Sequence, residues 1–443
     1  MPSTANNATK RLLLFTAKLG YQTRSFEDAA RKLGVQLVYV TDRCHQLEDP
    51  WGDQAIAVHF EPPENAAYAV METLRSDGRE VSGVLALGDR PAAAAAYSAR
   101  GLGIPYNHPA AVEACRNKLR LREVFRDAGL RVPWFRSFPA NPTPEPALVD
   151  VSFPCVLKPL SLSASQGVIR ANNREQFLLA AARLRRLLES PEIRATREPN
   201  LNQMIVESYV PGREVAVEGL LTDGNLRILA IFDKPDPLEG PYFEETIYVT
   251  PSRFPETTQN EIERCGRDAV RALGLTHGPV HAEFRINDNG VWPIEVAARP
   301  IGGLCARALH FRASDASQDP IGLEELLLLH ALGLPGSDAP HEPLASGVMM
   351  IPVPQSGILE SVSGMDAAHA TPGITELIIT ARLHDYIAAW PEGSSYLGFL
   401  FARGQNPDEV DHAIRAAHQK LEFRISPPLP VEHPVTRRLP VAG

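Results

Sequence analysis

The sequence predicts an α/β protein of more than one domain. Three observations carry this reading. Strands and helices alternate through the first quarter of the chain. Its 443 residues exceed what one core usually organises, which points to roughly two to four domains. From about Ser346 the pattern changes to short strands closed by a single helix.

In order, Leu12–Thr16 reads as a buried strand, Ser25–Leu33 as a helix stopped by Gly34, and Val35–Thr41 as a second strand. Glu64–Leu74 is helical, Val81–Leu87 is a third strand, and Pro91–Ala99 is an alanine-rich helix with proline near its start. This alternation implies an open parallel sheet covered on both faces. No G-x-G-x-x-G follows the first strand, so a dinucleotide site there is not indicated. Ala110–Ala128 reads as one long helix, and PWFRSFPANPTPEPA after it as a linker or crossing loop. Val151–Leu160 is a strand and Glu175–Leu188 an amphipathic helix. Val206–Val210 and Val215–Thr222 are strands, with Asp223-Gly224 a hairpin turn. Glu261–Leu273 is a helix ended by Gly274, and His281–Ile286 with Val291–Val296 make a hairpin around NDNG. The segments GVMMIPVP, GILESVSG, ITELIITA and YLGFLFARG are short strands, and Asp408–Leu421 is the closing helix. The proline-rich tail PPLPVEHPVTRRLPVAG is expected to be loose.

The composition is that of an ordinary globular chain, with 44% hydrophobic and 22% charged residues. A formal charge of -9 gives no sign of nucleic-acid or membrane-surface binding. The five cysteines (Cys44, Cys115, Cys155, Cys265, Cys305) include no CxxC spacing and fit a reducing cytoplasm better than a disulfide framework or a zinc site. The start of the chain lacks a signal-peptide pattern, and no apolar run approaches a membrane span.

The segment HAEFRINDNGVWPIEVAARPIGG is the most informative for chemistry. Its hairpin would bring Glu283 and Glu295 side by side, where paired carboxylates suit a hard cation such as Mg²⁺. Exposed strand glutamates are common, but apolar neighbours of Glu295 set that carboxylate in surroundings that need a reason for it. Arg299 follows, beside Gly302 and Gly303, and its planar fork suits a carboxylate or phosphoryl group. Upstream, Lys158 ends an apolar strand and precedes the loop Ser161–Gly167, rich in small residues that let backbone N–H groups approach phosphate. In VESYVPGREVAVEG, Glu207 and Glu214 flank a Pro-Gly turn, a spacing that puts one acid near an adenine and the other near ribose hydroxyls.

Together these segments resemble the ATP-grasp superfamily in their order along about residues 11 to 425, and most of all its carboxylate–amine ligase (L-amino acid ligase-like) branch. The latter likeness rests on EVAARPIGG and IFDKPDPLEGPYFEETIYVTPS. The resemblance implies an N-terminal Rossmann-like domain over residues 1–110, an ATP-grasp domain over 111–340 with a lid subdomain at about 135–205, and a small C-terminal α/β domain over 341–443. It implies that Lys118, Lys158 and Lys234 contact ATP phosphates, together with the loop residues Ser163, Ser165, Gln166 and Gly167. Glu207, Tyr209 and Val210 would hold adenine, and Glu214 ribose. Glu283 and Glu295 would hold Mg²⁺, with Mn²⁺ as an alternative. Arg299, with Gly302 and Gly303, would hold the acyl phosphate or a substrate carboxylate. Where many relatives carry asparagine two residues after the second glutamate, this chain has Ala297, and its small-residue loop is poorer in glycine than usual.

The implied activity is ATP-dependent amide formation on small carboxylates and amines, amino acids above all, through an acyl phosphate, with release of ADP and phosphate. His281, Glu244 and Glu245 are all open as the base that takes the amine proton. A homodimer is expected on the same resemblance. Two other readings stay open: a biotin-carboxylase-like or purine-pathway ATP-grasp enzyme, and a nucleotide-binding regulatory protein without turnover.

Overall fold

The computed structural model describes residues 10–17, 21–42, 55–141, 150–312 and 319–427. Cys44, most of the proline-rich tail and part of the stretch after Pro139 therefore lie outside the described residues. Four parallel strands form the first sheet, in the order Ala55–Ala57, Gln36–Thr41, Arg11–Thr16 and Gly83–Leu87. The helices Tyr21–Leu33, Pro63–Ser76 and Asp89–Leu102 connect and cover it. Each strand is an apolar run, as expected where both faces of a parallel sheet are buried.

The expected helix Ala110–Ala128 is two helices, Pro109–Arg116 and Lys118–Asp127. Asn117 breaks it. Its backbone is extended, and its side chain accepts from the N–H groups of Leu119 and Arg120, capping the second helix. The first part of the proline-rich stretch is a strand rather than a linker. Phe135–Pro139 is an edge strand against Gln203–Ser208, which tolerates proline at its last position. With Cys155–Pro159 and Ile169–Ala171 these strands form an antiparallel sheet packed on the helix Arg174–Leu188.

The largest sheet has eight strands. It begins at Gly290–Ala297 and runs through Gly278–Asn287, Arg213–Thr222, Asn225–Asp233 and Ile247–Thr250. It continues into Ala345–Ile351, Gly398–Gly404 and Ile374–Ile379, so strands after residue 345 extend it rather than standing apart. Tyr386–Ile387, Gly357–Ser363 and Glu422–Ser426 form a separate three-stranded sheet beside them. One apolar core joins the first sheet to the central one, with Leu13, Val40 and Ala94 in the same cluster as Val215 and Phe284. No helix among the described residues is long and apolar enough to cross a membrane.

Candidate active site

The units built on the parallel first sheet, on the antiparallel sheet packed on Arg174–Leu188 (the lid sheet) and on the eight-stranded central sheet line a cavity of about 270 Å³. Among the sequence-derived candidates, Lys118, Lys158, Ser163, Ser165, Glu207, Tyr209, Val210 and Glu214 line it, as do His281, Glu283, Glu295, Arg299, Gly302 and Gly303. Gln166 and Gly167 do not line it. They bind a C-terminal segment instead: Gln166 Nε2 donates to the Glu392 carbonyl at 2.8 Å, and Gly167 N to that of Pro391 at 3.0 Å. Lys234 is buried behind the wall.

At the hinge between the lid sheet and the central sheet, Lys158 Nζ lies 2.6 Å from Glu207 Oε2, and Arg122 Nε lies 2.8 Å from Glu207 Oε1. All three groups are buried. Burial alone would push the Glu207 carboxyl up, but Arg122 and Lys158 outweigh it and hold it down at about 2. Burial depresses the ammonium of Lys158, with Glu207 opposing. The carboxylate of Glu207 is thus engaged by two cations rather than free for an adenine. The carbonyl of Val210 accepts from Arg285 Nη1 at 2.8 Å, which uses one of its two lone pairs. Lys118, at the start of its helix, donates to the Leu162 carbonyl at 2.7 Å, tying that helix to the small-residue loop. Its ammonium is 3.8 Å from Glu295.

The loop itself adopts turns that few side chains favour, with φ of 55° at Ala164, 52° at Ser165 and 74° at Gly167. At Gly167 a Cβ would also come within 2.9 Å of Leu184, so glycine is needed there on two counts.

On the opposite wall the NDNG hairpin sets Glu283 directly across from Glu295. The register shifts by one residue immediately after this pair, so it stands at a bulge. Carboxylate oxygens of Glu214, Glu245 and Glu283 lie within 4.8 Å of one another. Lys234 Nζ donates to all three, at 2.7 Å to Glu214, at 3.1 Å to Glu283, and to Glu245. Burial works against the Lys234 charge, and the three acids raise it well above the usual lysine range. Burial and the neighbouring Glu283 push the Glu245 carboxyl up to about 7, against the pull of Lys234. Glu214 is shared with Arg285, whose Nε donates to it at 2.7 Å.

His281 is held through Nδ1 by Glu218, whose other oxygen accepts from the Ile301 N–H at 3.2 Å. Burial opposes the imidazolium, but Glu218 overrides it and pushes the ring up to about 9. At neutral pH the ring therefore carries its proton, which disfavours it as a base. Burial pushes Glu244 up to about 7, in the range that suits a base near neutrality. Arg299 donates from Nε and Nη2 to Asp89 at 3.0 and 3.1 Å, and from Nη1 to the Pro300 carbonyl at 3.1 Å.

Sequence reasoning missed Asp89, Arg122, Glu218 and Arg285. Glu218 and Arg285 sit in largely apolar strands, a signal of the same kind that drew attention to Glu295, whereas Arg122 sits in a helix of mostly charged residues that gave none. Asp89 had a weaker signal, as an acid just after the third strand.

The donor set fits a nucleotide triphosphate with a divalent cation. Two lysines face the cavity on one wall. On the other, hard carboxylate oxygens crowd closely enough that one of them titrates near neutrality.

Residues 151–308 match the family model of the ATP-grasp domain, and residues 349–426 that of L-amino acid ligase C-terminal domain 2. The chain is similar to carnosine synthase 1 of Gallus gallus, 29% identical over 65% of this chain and 31% of that one. It is also similar to alanine–anticapsin ligase of Bacillus subtilis strain 168, 29% identical over 46% of this chain and 44% of that one. The chain thus spans less than half of the length of either relative. The crystal structure of L-amino acid ligase from Bacillus licheniformis superimposes with a TM-score of 0.78 at 24% identity, over 94% of this chain and 99% of that one, which shows a common fold. Residues 151–308 thus carry an ATP-grasp domain, and residues 349–426 a C-terminal domain of the L-amino acid ligase type.

Proposed function

We infer that the protein is an ATP-dependent carboxylate–amine ligase that joins amino acids through an acyl phosphate, releasing ADP and phosphate. The observation that carries the reading is the composition of one cavity wall against the other. Lys118 and Lys158 suit phosphate oxygens, Glu283 and Glu295 suit a divalent cation, and Arg299 stands beyond them with Gly302 and Gly303. The L-amino acid ligase C-terminal domain favours this reading over a carboxylating enzyme.

Mg²⁺, or Mn²⁺ in its place, would be held by Glu283 and Glu295, which face each other across the strand pair, and would offset charge on the transferring phosphoryl group. Lys158, oriented by Glu207, binds phosphate oxygens, and Lys118 joins it from the helix side. Lys234 keeps Glu214, Glu245 and Glu283 together. Tyr209, Val210 and the backbone of the hinge take adenine, and Glu214 faces ribose. The loop Ser161–Gly167, with Ser163 and Ser165 toward the cavity, excludes water from an intermediate that would otherwise hydrolyse. The substrate carboxylate attacks the γ-phosphorus of ATP, and ADP leaves. A neutral amine then attacks the acyl carbon, and phosphate leaves. Arg299 and protonated His281 supply positive charge where oxyanions develop. Of the two carboxylates whose affinity for a proton fits removal from the amine, Glu245 lines the cavity and Glu244 does not. A division at residues 110 and 340, with the last part continuing the central sheet, and a homodimer belong to the same reading.

The test is ADP release with ATP and Mg²⁺ against a panel of amino acids, singly and in pairs, with mass detection of the amide. Pair-dependent ADP and amide are expected. Bicarbonate-dependent ADP without amide, or no ADP with any pair, would overturn the reading.

A further inference from the structure

The N-terminal sheet domain contributes one side chain whose geometry the reaction described so far does not use. Asp89 is the first residue of the helix Asp89–Leu102 and follows Gly88, whose φ of 111° turns the chain from the strand Gly83–Leu87 into the helix. A carboxylate in the first turn is favoured by the helix's own N-terminal N–H groups. Both oxygens of Asp89 receive Arg299, one from Nε and one from Nη2. Burial would raise the Asp89 carboxyl, but Arg299, then Lys118 and Arg116, hold it below its usual value.

A guanidinium has five N–H donors. Two of those of Arg299 go to Asp89 and one to the Pro300 carbonyl, which leaves two, both on the terminal nitrogens. Arg299 and Asp89 both line the cavity, so the side-on pair decides which edge of the fork faces a substrate. The geometry serves orientation more than field strength, because an anion so close offsets part of the positive charge of Arg299.

We propose that Asp89 is a positioning residue for the reaction: it fixes the rotation of the Arg299 fork so that its two remaining donors meet the acyl-phosphate oxygens. The proposal rests on the ligase reading. It gives the N-terminal domain a part in the chemical step although that domain supplies none of the proposed metal or phosphate ligands.

The experiment compares Asp89→Asn, Asp89→Glu, Arg299→Lys and the double variant Asp89→Asn/Arg299→Lys with the unaltered protein, using the amino-acid pair that gives most amide. The Asn side chain keeps one acceptor but turns an NH₂ toward the guanidinium, so the fork loses its two-point hold. Asp89→Asn is expected to lower kcat on the order of 10²-fold, typical of an oriented transition-state donor, with KM for ATP within about twofold. Asp89→Glu is expected to recover part of the loss. In the Arg299→Lys background Asp89→Asn is expected to cost little more, since residues acting through one another are not additive. Additive losses, a shift in KM for ATP equal to that in kcat, or unchanged kcat would overturn the positioning role while leaving the ligase reading intact. A purely structural role would lower the melting temperature in step with activity, so melting curves are taken on every variant. If the unaltered protein makes no ADP with any pair, the ligase reading itself fails, and the proposal falls with it.

Discussion

The two walls of the cavity are built on opposite electrostatic plans. At the hinge wall, two buried cations, Lys158 and Arg122, share one carboxylate, Glu207, and Lys118 stands nearby. At the hairpin wall, the carboxylates of Glu214, Glu245 and Glu283 converge on the ammonium of Lys234, and Glu295 lies across the strand pair. One wall has positive charge in excess and the other has negative charge in excess. Each would be costly in isolation, because charges out of water need partners. The difference teaches what the cavity is suited to hold: an anion at one wall and a cation at the other. A polyphosphate with a divalent cation answers both at once. Glu245 reports the strain of the acidic wall, since burial and Glu283 push its carboxyl up to about 7 even with Lys234 in contact.

The comparison breaks most visibly at Glu207. Glu207→Ala leaves two buried cations without their anion, and such a loss costs about 3–5 kcal/mol. A melting curve should show it without any ligand. The same carboxylate gives an acid dependence. Its folded value, about 2, lies below the ordinary 4.5, so its contribution is fully present above 4.5 and is lost as pH falls toward 2. The unaltered protein should therefore lose stability over that window, and Glu207→Gln should flatten the loss. Equal slopes for both proteins would mean that the hinge triad is not held by charge.

At the acidic wall the expected effect is on turnover rather than stability. Glu295 is partly exposed, its nearest cation is 3.8 Å away, and removing its charge should barely move the melting temperature. Glu295→Gln should nonetheless lower ADP formation by about 10²-fold or more, beyond the 10–100-fold typical of groups behind a metal's own ligands. It should also weaken the stabilisation that Mg²⁺ and ATP give together. Near-normal ADP formation in the variant would remove Glu295 from the metal assignment.

How much of this was legible in the sequence depended on how local the signal was. Glu283 and Glu295 could be read as neighbours because NDNG is a tight turn and strand residues at matched distances from a turn must face each other. Lys158 stood out as a charge ending an apolar strand. The charges that meet around it could not be read, since Glu207 lies on a different strand and Arg122, 85 positions before Glu207, reaches it only when the lid sheet packs on the capped helix. Reading 110–128 as one helix hid this further. Asn117 resets the helical phase, and it is the second helix that turns Lys118 to the loop and Arg122 to the hinge. The alanine-rich helix was read from Pro91, two residues late, and so Asp89 fell into a turn where an acid needs no explanation. The extension of the central sheet by strands beyond residue 345 was equally hidden, because strand order is a long-range property that periodicity does not carry.

The smallest expected effect concerns how the cavity is closed. The Ser161–Gly167 loop, which the proposed function sets over the intermediate, is fastened to a C-terminal segment. Trp390 Nε1 donates to the Ala164 carbonyl at 3.1 Å, and Arg183 of the lid helix makes a two-point contact with the Glu392 carboxylate. Ser394 and Tyr396, just beyond, line the cavity. The C-terminal segment therefore touches both the lid and the space the lid covers. The Arg183–Glu392 pair is over a third exposed on each side, so its worth is that of a surface ion pair, about 0–1 kcal/mol. Glu392→Gln should leave the melting temperature nearly unchanged. Local opening needs far less free energy than global unfolding, so the same small loss should still speed amide exchange in residues 161–168 by up to about fivefold. Binding of a non-hydrolysable ATP analogue should slow that exchange again, because phosphate contacts would hold the loop from the other side. Exchange in 161–168 that ignores both the substitution and the analogue would mean that this loop is a fixed wall of the cavity and that water is excluded by some other segment.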